Sequence, residues 1–403
     1  MTESEVLAYP IPVDHALDAP QEWERLRSRC PVAHVRLASG DEASLVTRYD
    51  DVKAVLSDPR FGRGTGNADA ARVADTDDGG LFNSEMATVM PQEGEAHQSW
   101  RRLVGRWFTA KRMAALRPGI TAMADQLVDA MVDKGHPVDL KAAFGFPLPV
   151  WVICDMLGVP DADRDRFSYW SDCMLSMTRY TQDEMTAAMT EFGAYMAHHV
   201  ELKRTAPGED LLSELIVATD AEGQPLSTAV LVATGQALLV AGHETTANMI
   251  TKMMGMLLAD RSRWERLVQD PSLVRSTVEE ALRYDANAGF GMIRFIDADI
   301  ELSDVTVPAG TTVVCSMAAA NRDETAFENA AELDLTRSPN PHLAFGAGAH
   351  SCLGQALART ELQVALETLI RRLPALDLAV AADQLERVDG LAVGGLRELP
   401  VRW

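Results

Sequence analysis

The stretch from His342 to Arg359, HLAFGAGAHSCLGQALAR, restricts the possible folds of this chain more than any other. In this stretch, Cys352 follows a glycine-rich loop. Apolar residues at helical spacing come after it and continue beyond the stretch until Pro374. A cysteine at a helix N-terminus lies near free backbone N–H groups and the positive end of the helix dipole, and both favour the thiolate. Glycines allow the backbone to approach a flat, bulky group, and Phe345 offers that group an aromatic surface. The stretch therefore predicts a thiolate held against something planar.

A thiolate held in this way can serve as the axial ligand that raises electron density on a haem iron and favours cleavage of the O–O bond. The sequence FGAGAHSCLG closely resembles the haem-binding loop of the cytochrome P450 family. Taken alone, a single cysteine before a helix is more often a buried structural residue, but the spacing and the remote motifs below favour the iron ligand. The resemblance makes Cys352 the metal ligand. The residues that it assigns to haem binding in this loop are Phe345, Gly346, His350, Cys352 and Gly354.

The 403 residues contain no repeat, no low-complexity tract and no long linker, although their number alone would allow two or three domains. Hydrophobic residues make up 47% of the chain, which is enough for a large core. We therefore expect one domain that spans residues 1–403. The resemblance implies a cytochrome P450 fold, mainly α with small β-sheets. It also implies haem b (iron protoporphyrin IX) between a long central helix and the helix that follows Cys352.

Charge and cysteine content predict a cytoplasmic protein. The net charge of −22 disfavours nucleic acids and anionic membranes as partners. Five cysteines form no zinc or disulfide spacing, and their odd number suits a reducing compartment. The N-terminus lacks the regions of a signal peptide, and no apolar run reaches the roughly 18 residues of a membrane span. We expect a monomer that is similar to the soluble bacterial, actinomycete-type branch of the family.

The segment from His97 to Phe108 predicts a helix with a charged face. His97 and Arg101 are four residues apart, so both project from that face as a cationic pair that suits an anionic group. On spacing alone, a solvated basic face is the better interpretation. The family carries His-x-x-x-Arg at this place, and the resemblance implies that the pair holds a haem propionate.

Further cations near this helix form a basic patch in an otherwise acidic protein. A patch of this kind can steer an acidic protein partner, and the simplest candidate is a ferredoxin that binds transiently. We expect the patch to face outward. Its members are Arg102, Arg106, Lys111 and Arg112.

The longest predicted helix runs from Ser227 to Leu258, with Ser227 as its N-cap. Residues 229–241 are apolar on nearly every face, so this helix should be buried in the middle of the protein. Small residues at 241 and 242 leave room for a ligand, and Glu244 and Thr245 can guide protons to bound dioxygen through water. The sequence AGHETT at 241–246 resembles the oxygen-activation motif of the family. The resemblance makes Glu244 and Thr245 the catalytic residues.

Two further motifs resemble the same family. Glu280 and Arg283 are i,i+3 partners, a pair that contributes only about 0.3 kcal/mol when it is exposed. The family's Glu-x-x-Arg implies that they pair inward with Arg337 and support the haem loop structurally. Arg294 lies in a predicted strand at 290–296 and resembles an arginine that binds a propionate.

Methionine and aromatic residues indicate the segments on the substrate side. The stretch 62–94 has little pattern and resembles the family's loop over the substrate, with an ordinary surface loop as the alternative. Residues 167–196 are rich in adaptable methionine and could close over a large apolar ligand or belong to the core. Residues 391–396 form a possible hairpin tip beside the pocket. The pocket residues that we predict are Phe82, Met86, Met90, Met174, Met177, Ala241, Phe290, Met292 and Val393.

Together these motifs predict a monooxygenase that inserts one oxygen atom from O2 into a bulky apolar small molecule by hydroxylation or epoxidation. The resemblance implies electrons from NAD(P)H through ferredoxin reductase and ferredoxin. A secondary-metabolite scaffold such as a macrolide or another polyketide is the favoured substrate, and a terpenoid or steroid is the alternative. Two other hypotheses are a peroxygenase and a non-catalytic binding module. The intact acid and alcohol at Glu244 and Thr245 disfavour both.

Overall fold

The computed structural model describes residues 6–63, 67–74, 89–164, 166–219, 223–285, 290–303 and 305–403. Helices account for most of the regular structure. The α-helices are α1 (Glu22–Arg29), α2 (Tyr49–Ser57), α3 (Gly94–Gly105), α4 (Ala110–Lys134), α5 (Pro147–Leu157), α6 (Arg166–Met174), α7 (Gln182–Thr205), α8 (Leu211–Val217), α9 (Thr228–Leu258), α10 (Arg261–Gln269), α11 (Val274–Tyr284), α12 (Met317–Ala320) and α13 (Gln355–Arg372).

The strands are short. They are β1 (Leu7–Ala8), β2 (Val32–Arg36), β3 (Glu42–Val46), β4 (Val138–Asp139), β5 (Met292–Ile296), β6 (Ile300–Leu302), β7 (Val305–Val307), β8 (Thr311–Cys315), β9 (Asp377–Leu378), β10 (Arg387–Val388), β11 (Gly395–Leu396) and β12 (Pro400–Arg402). The largest sheet has the order β1-β2-β3-β8-β5, and the other sheets have two or three strands. The prediction of a mainly helical protein with small β-sheets is therefore confirmed.

Helix α9 lies within the principal hydrophobic core, which extends from Ala16 near the N-terminus to Val401 near the C-terminus. Its buried side chains occur on all sides of the helix, as the apolar run 229–241 predicts. Ser227 caps the helix by accepting a hydrogen bond from the N–H of Val230 at 3.2 Å. Helices α5, α7 and α13 pack against it. The longest helix thus forms the central support of the fold.

Gly242 lies where α9 crosses α5. A Cβ atom at this position would lie 2.7 Å from Cγ1 of Ile153, so the glycine allows the two helices to approach closely. Gly242 also lines the cavity next to α9, which agrees with the prediction that a small residue at 242 leaves room for a ligand. A side chain at this position would collide with Ile153.

The sequence pattern at 311–320 predicts one continuous strand, but the structure has a strand followed by a short helix. β8 ends at Cys315, and Ser316 then caps α12 by accepting a hydrogen bond from the N–H of Ala319 at 3.2 Å. Three consecutive alanines favour helix, whereas the β-branched residues before them favour strand. Asn321 follows α12 and accepts a hydrogen bond from the N–H of Leu343 at 2.7 Å. This bond fixes the start of the loop that leads to Cys352.

Glu280 on α11 is the centre of a buried ion-pair cluster. Its carboxylate accepts hydrogen bonds from Arg283 at 2.8 Å and from Arg337 at 3.0 Å. Glu280 and Arg283 are both fully buried, so the pair is not the weak exposed one that spacing alone allows. The guanidinium of Arg283 also donates, at 2.8 Å each, to the backbone carbonyls of Asn321, Ala330 and Glu332.

Glu279 connects α11 to His342, at the start of the loop that carries Cys352, and to Arg359, on the helix α13 that follows the loop. Its carboxylate lies 3.1 Å from Nε2 of His342 and accepts a hydrogen bond from Arg359 at 2.7 Å. Burial raises the pKa of Glu279, but the hydrogen bonds from His342 and Arg359 outweigh it and bring the pKa to about 2. The carboxylate is therefore ionised at neutral pH and holds both the start of the loop and the helix that follows it.

Candidate active site

A cavity of about 370 Å³ lies between α9 and the loop at 342–354. We call it the cysteine cavity. Most of its lining side chains are apolar, with Met249 on α9 and Leu357 on α13 as examples. The sequence-predicted residues that border it are Ala241, Thr245, Met292, Arg294, Phe345, Gly346, His350, Cys352, Gly354 and Val393.

The backbone of the loop requires glycine at position 348. Gly346 and Gly348 have φ angles of 69° and 70°, in the left-handed region. A Cβ atom on Gly348 would lie 2.6 Å from the carbonyl oxygen of Leu56, so a larger residue would push the loop away from α2. The N–H of Cys352 donates to the carbonyl of Phe345 at 2.7 Å and closes the turn.

Cys352 lies just before α13, which begins at Gln355. Burial raises the pKa of the Cys352 thiol and outweighs the backbone hydrogen bond from Gly354 and the charges of Arg101 and Arg359, which lower it. The backbone hydrogen bond at the helix N-terminus favours the thiolate, as predicted, but burial has the larger effect on the pKa. The cost of removing the thiolate from water exceeds what the helix end supplies. A coordinated metal cation, in contrast, deprotonates a thiol outright.

Five basic side chains gather at the edge of this cavity, and one carboxylate accompanies them. The rings of His97 and His350 are stacked, with their centroids 4.4 Å apart. Nε2 of His350 lies 3.1 Å from the carboxylate of Glu93. We call the group the basic cluster. Its members are Arg63, His97, Arg101, Arg294 and His350.

Arg63 is the member of the basic cluster that the sequence did not reveal. Its Nε atom is buried and has no hydrogen-bond partner among the described residues. Burial lowers the pKa of Arg63 to about 10, and repulsion from Arg294 acts in the same direction. Arg63 lies in the stretch 62–94, where no periodicity or motif singles out an arginine. Nothing in the sequence alone could have identified it.

The basic cluster also changes the charge of His97. Burial, followed by the charges of His350 and Arg101, lowers the pKa of His97 to about 4. The imidazole is therefore neutral at pH 7 when no anion lies beside it, so the predicted cationic pair of His97 and Arg101 depends on the anionic group that it is predicted to hold. An anion placed among these side chains would favour their charged forms.

The cavity and the basic cluster fit a haem. Crowded cations, with an Arg63 Nε atom that has no partner in the part of the chain that the structure describes, suit the two propionates of a haem. Apolar walls suit the ring, and Cys352 offers a sulfur ligand to the iron. The residues placed to hold the group are Arg63, His97, Arg101, Arg294, His350 and Cys352.

The adjacent residues Glu244 and Thr245 border different cavities. Thr245 borders the cysteine cavity, and its hydroxyl donates to the carbonyl of Ala241 at 2.9 Å. Glu244 borders a second cavity of about 490 Å³, where Asn248 donates to its carboxylate at 2.9 Å. We call this one the polar cavity. Burial raises the pKa of Glu244, and the charge of Lys141 acts in the opposite direction. Consecutive residues of a helix point about 100° apart, which explains the separation.

Among the described residues, four of the predicted pocket residues do not border the cysteine cavity. Met174 is buried in the principal core, so part of the methionine-rich stretch is ordinary core. Met177 and Phe290 belong to a separate hydrophobic cluster and border an open groove beside the N-terminal segment. Met90 is half-buried and is not among the residues that line either cavity. Phe82 and Met86 lie outside the described residues.

The basic patch lies beside the loop that carries Cys352. Arg102, Arg106 and Lys111 are exposed, whereas Arg112 lies on the ring of Trp107 and pairs with Glu214 at 2.9 Å. Two contacts place this segment against the loop. A Cβ atom on Gly105 would lie 3.6 Å from Leu353, and one on Gly354 would lie 3.9 Å from Phe108.

Comparison with known proteins agrees with this geometry. The sequence profile of a family described as Cytochrome P450 matches residues 165–377. The mycinamicin IV hydroxylase/epoxidase of Micromonospora griseorubida is 42% identical over 406 residues, and the nocardicin C N-oxygenase of Nocardia uniformis subsp. tsuyamanensis is 40% identical over 407. Both alignments cover 100% of each chain.

Solved structures of similar proteins have the same fold as this chain. The crystal structure of SgvP, described as a putative thioether synthase in the tailoring of griseoviridin, has a TM-score of 0.93 at 38% identity, covering 99% of this chain and 100% of its own. The mixed-function P450 MycG has a TM-score of 0.87 at 41% identity with the same coverage. Among the described residues, no helix combines the length and the apolar character needed to cross a membrane.

Fold and site together define a haem-thiolate enzyme that acts on a small molecule with O2. The family match over more than half of the chain and the full-length relatives at about 40% identity identify it further. The chain belongs to the cytochrome P450 family, and it is a monooxygenase with haem as its cofactor.

Proposed function

We propose that this monooxygenase hydroxylates or epoxidises a bulky, mostly apolar product of secondary metabolism, with a macrolide or another polyketide as the favoured class. The observation that carries the proposal is the apolar wall of the cysteine cavity, where Ala241 and Thr245 lie on the same cavity as Cys352. A relative named for mycinamicin IV, 42% identical, supports the substrate class. A relative named vitamin D(3) 25-hydroxylase, 39% identical over 94% of this chain, keeps a steroid as the second candidate.

The test is a titration of the haem-loaded ferric protein with macrolides, other polyketides, terpenoids and steroids. A member of the favoured class should change the spin state in the absorption spectrum. With NADH, ferredoxin reductase and ferredoxin, it should then gain one oxygen atom. Binding and turnover of steroids, together with no response to any polyketide, would overturn the proposed substrate class.

When bound, the haem supplies activation of O2 and transfer of one oxygen atom to the substrate, while the other leaves as water. The side chains of this protein would hold and orient the reactants. Cys352 would bind the iron, and the basic cluster would bind the propionates through charge-assisted hydrogen bonds. The apolar walls would exclude bulk water from the substrate.

Glu244 and Thr245 would deliver protons across α9. The carboxyl of Glu244 borders the polar cavity, and burial raises its pKa, so it holds a proton more readily than an exposed carboxyl does. The hydroxyl of Thr245 borders the cysteine cavity. Protons would therefore pass from the polar cavity through Glu244 and water to the Thr245 hydroxyl.

Replacement of Thr245 by alanine should reduce the yield of product per NADH consumed by several-fold, because the hydroxyl that positions the last proton donor is lost. Affinity for the substrate should change by no more than about twofold. The measurement compares NADH oxidation with product formation in the reconstituted system. Thr245→Ser keeps the hydroxyl and should restore most of the coupling. Unchanged coupling in the alanine variant would contradict the role of Thr245.

Electrons would reach the site from NAD(P)H through a reductase and a ferredoxin that docks on the basic patch. Arg102, Arg106 and Lys111 are exposed on the segment that lies against the loop of Cys352, so an acidic partner bound there would be near the iron ligand. Contacts between exposed charges weaken with salt. The rate of ferredoxin-dependent reduction should therefore fall as ionic strength rises.

Replacement of Arg63 by methionine should have opposite effects on the haem-loaded and haem-free protein. With haem present, loss of a charge-assisted hydrogen bond to a propionate should speed haem transfer to apomyoglobin by about tenfold. Without haem, removal of one cation from the crowded cluster should leave the melting temperature unchanged or raise it. The matched control is Arg60→Met, since Arg60 is exposed and forms a surface ion pair with Asp58.

A purely structural role for Arg63 predicts a different pattern. The variant would then lower the melting temperature of the haem-loaded and haem-free protein equally. A wild-type rate of haem loss would likewise exclude a contact with the propionates.

A further inference from the structure

The imidazole ring of His97 has two aromatic neighbours that lie nearly parallel to it. Its centroid lies 4.4 Å from that of His350, with an angle of 27° between the two ring planes. The ring of Trp100, about one turn further along α3, lies 6.1 Å away at 24°. Offset stacking at separations of this size is favourable and restrains the plane of a ring. Both neighbours therefore orient His97.

Trp100 is itself held by the central helix. Its indole N–H donates to the hydroxyl of Thr234 on α9 at 3.0 Å. Thr234 is fully buried, and Trp100 packs against the principal hydrophobic core. An indole nitrogen only donates, so the direction of this hydrogen bond is unambiguous. The bond fixes the indole relative to α9, and stacking transmits that restraint to His97.

The orientation of His97 decides what its ring can bind. An imidazole donates hydrogen bonds only in the plane of its ring. A propionate in the basic cluster therefore accepts a hydrogen bond from His97 only when an edge of the ring faces it. A ring that is already held in this orientation loses less conformational entropy when the anion binds, and binding is stronger for that reason.

We propose that Trp100 is a positioning residue for the haem, which acts through His97: Thr234 orients Trp100, and Trp100 orients His97 toward a propionate. This proposal rests on the propionate contact that the proposed function gives to His97. It extends that contact to two residues outside the basic cluster. It also makes α9, the helix of Thr245, a support of the propionate site.

The experiment is a double-mutant cycle that measures transfer of haem from the loaded protein to apomyoglobin. His97→Ala should speed the transfer by about tenfold, because a charge-assisted hydrogen bond is lost. Trp100→Leu should speed it by about fivefold, because the stacked ring is lost. The double variant should match His97→Ala within about twofold, since Trp100 then has no imidazole to position.

Two milder variants test the same chain of contacts without opening a large cavity. Trp100→Phe keeps an aromatic face but loses the indole N–H. Thr234→Val keeps the shape of the side chain but loses the acceptor. Each should speed haem transfer by about twofold to threefold, and the two together should be no faster than either alone, because they remove the same hydrogen bond.

Trp403→Leu is the matched control. Trp403 also lies against a histidine, with its ring centroid 5.4 Å from that of His136, but it borders neither the cysteine cavity nor the polar cavity. This variant should lose haem at the rate of the wild type. A faster rate would show that loss of any such tryptophan loosens the haem, which would overturn a specific role for Trp100.

Three results of the cycle would also overturn the proposal. Additive effects of Trp100→Leu and His97→Ala would show that Trp100 supports the fold rather than His97. Wild-type rates in both Trp100 variants would exclude any role in holding haem. A wild-type rate in His97→Ala would overturn the propionate contact of His97 and this proposal with it. The proposed substrate class is tested separately, because the spectral titration does not depend on the rate of haem loss.

Discussion

Replacement of Cys352 by serine should remove the absorption band that is typical of a reduced, CO-bound haem-thiolate and reduce monooxygenase turnover to background. A serine hydroxyl stays protonated at neutral pH and cannot supply the electron density of a thiolate to the iron. The fold should persist, because the turn is closed by the backbone N–H of Cys352 rather than by its side chain. The measurement is the CO difference spectrum together with product formation.

The matched control is Cys30→Ser, because Cys30 is an exposed free cysteine that does not line the cysteine cavity. This variant should keep both the spectrum and the turnover of the wild type. If Cys352→Ser retains the thiolate-type band, then Cys352 is not the iron ligand. If both variants keep the thiolate-type band, the geometry of this loop does not determine which residue binds the iron.

Replacement of Glu280 by glutamine should lower the free energy of unfolding by about 3–5 kcal/mol, the second large effect that we expect. The change removes the only carboxylate that pairs with Arg283 among the described residues and leaves a fully buried guanidinium without its counter-charge. It also weakens the contact with Arg337. Urea unfolding of the purified protein measures the loss.

Two comparisons make this prediction specific. Glu265→Gln breaks an exposed i,i+4 pair with Arg261 and should cost less than about 0.5 kcal/mol. Arg337→Met leaves Glu280 paired with Arg283, so its cost should lie between the other two. If Glu280→Gln comes within about 1 kcal/mol of the wild type, the cluster does not stabilise the loop of Cys352 through buried charge.

Much of this fold could be predicted because several segments have one strong determinant each. The apolar run 229–241 and the cap at Ser227 define α9, and the structure begins that helix at Thr228. The pattern at 49–57 predicts a helix that ends before Pro59, and α2 has the same bounds. The prediction failed where residues that favour strand are followed directly by residues that favour helix, as at Ser316, which lies between β8 and α12.

The site could be predicted only where a motif marks it. Cys352, Thr245 and Arg294 border one cavity although they are far apart in the chain, and each lies in a recognisable pattern. Arg63 could not be found, because its role depends on its neighbours in space. The pKa shifts of Cys352 and His97 could not be predicted from the sequence either, because the largest cause of both is burial in the folded protein.

The position of Glu244 and Thr245 on two sides of α9 has a consequence for how such an enzyme can diversify. The side chains that shape the cysteine cavity, such as Ala241 and Met292, can change size or polarity without disturbing the carboxyl on the other side. Mutation can therefore explore new substrates while the supply of protons stays intact. Val393 is an exception, because it borders both cavities. A library that varies Val393 would test substrate range and coupling together, whereas one that varies Met292 would test substrate range alone.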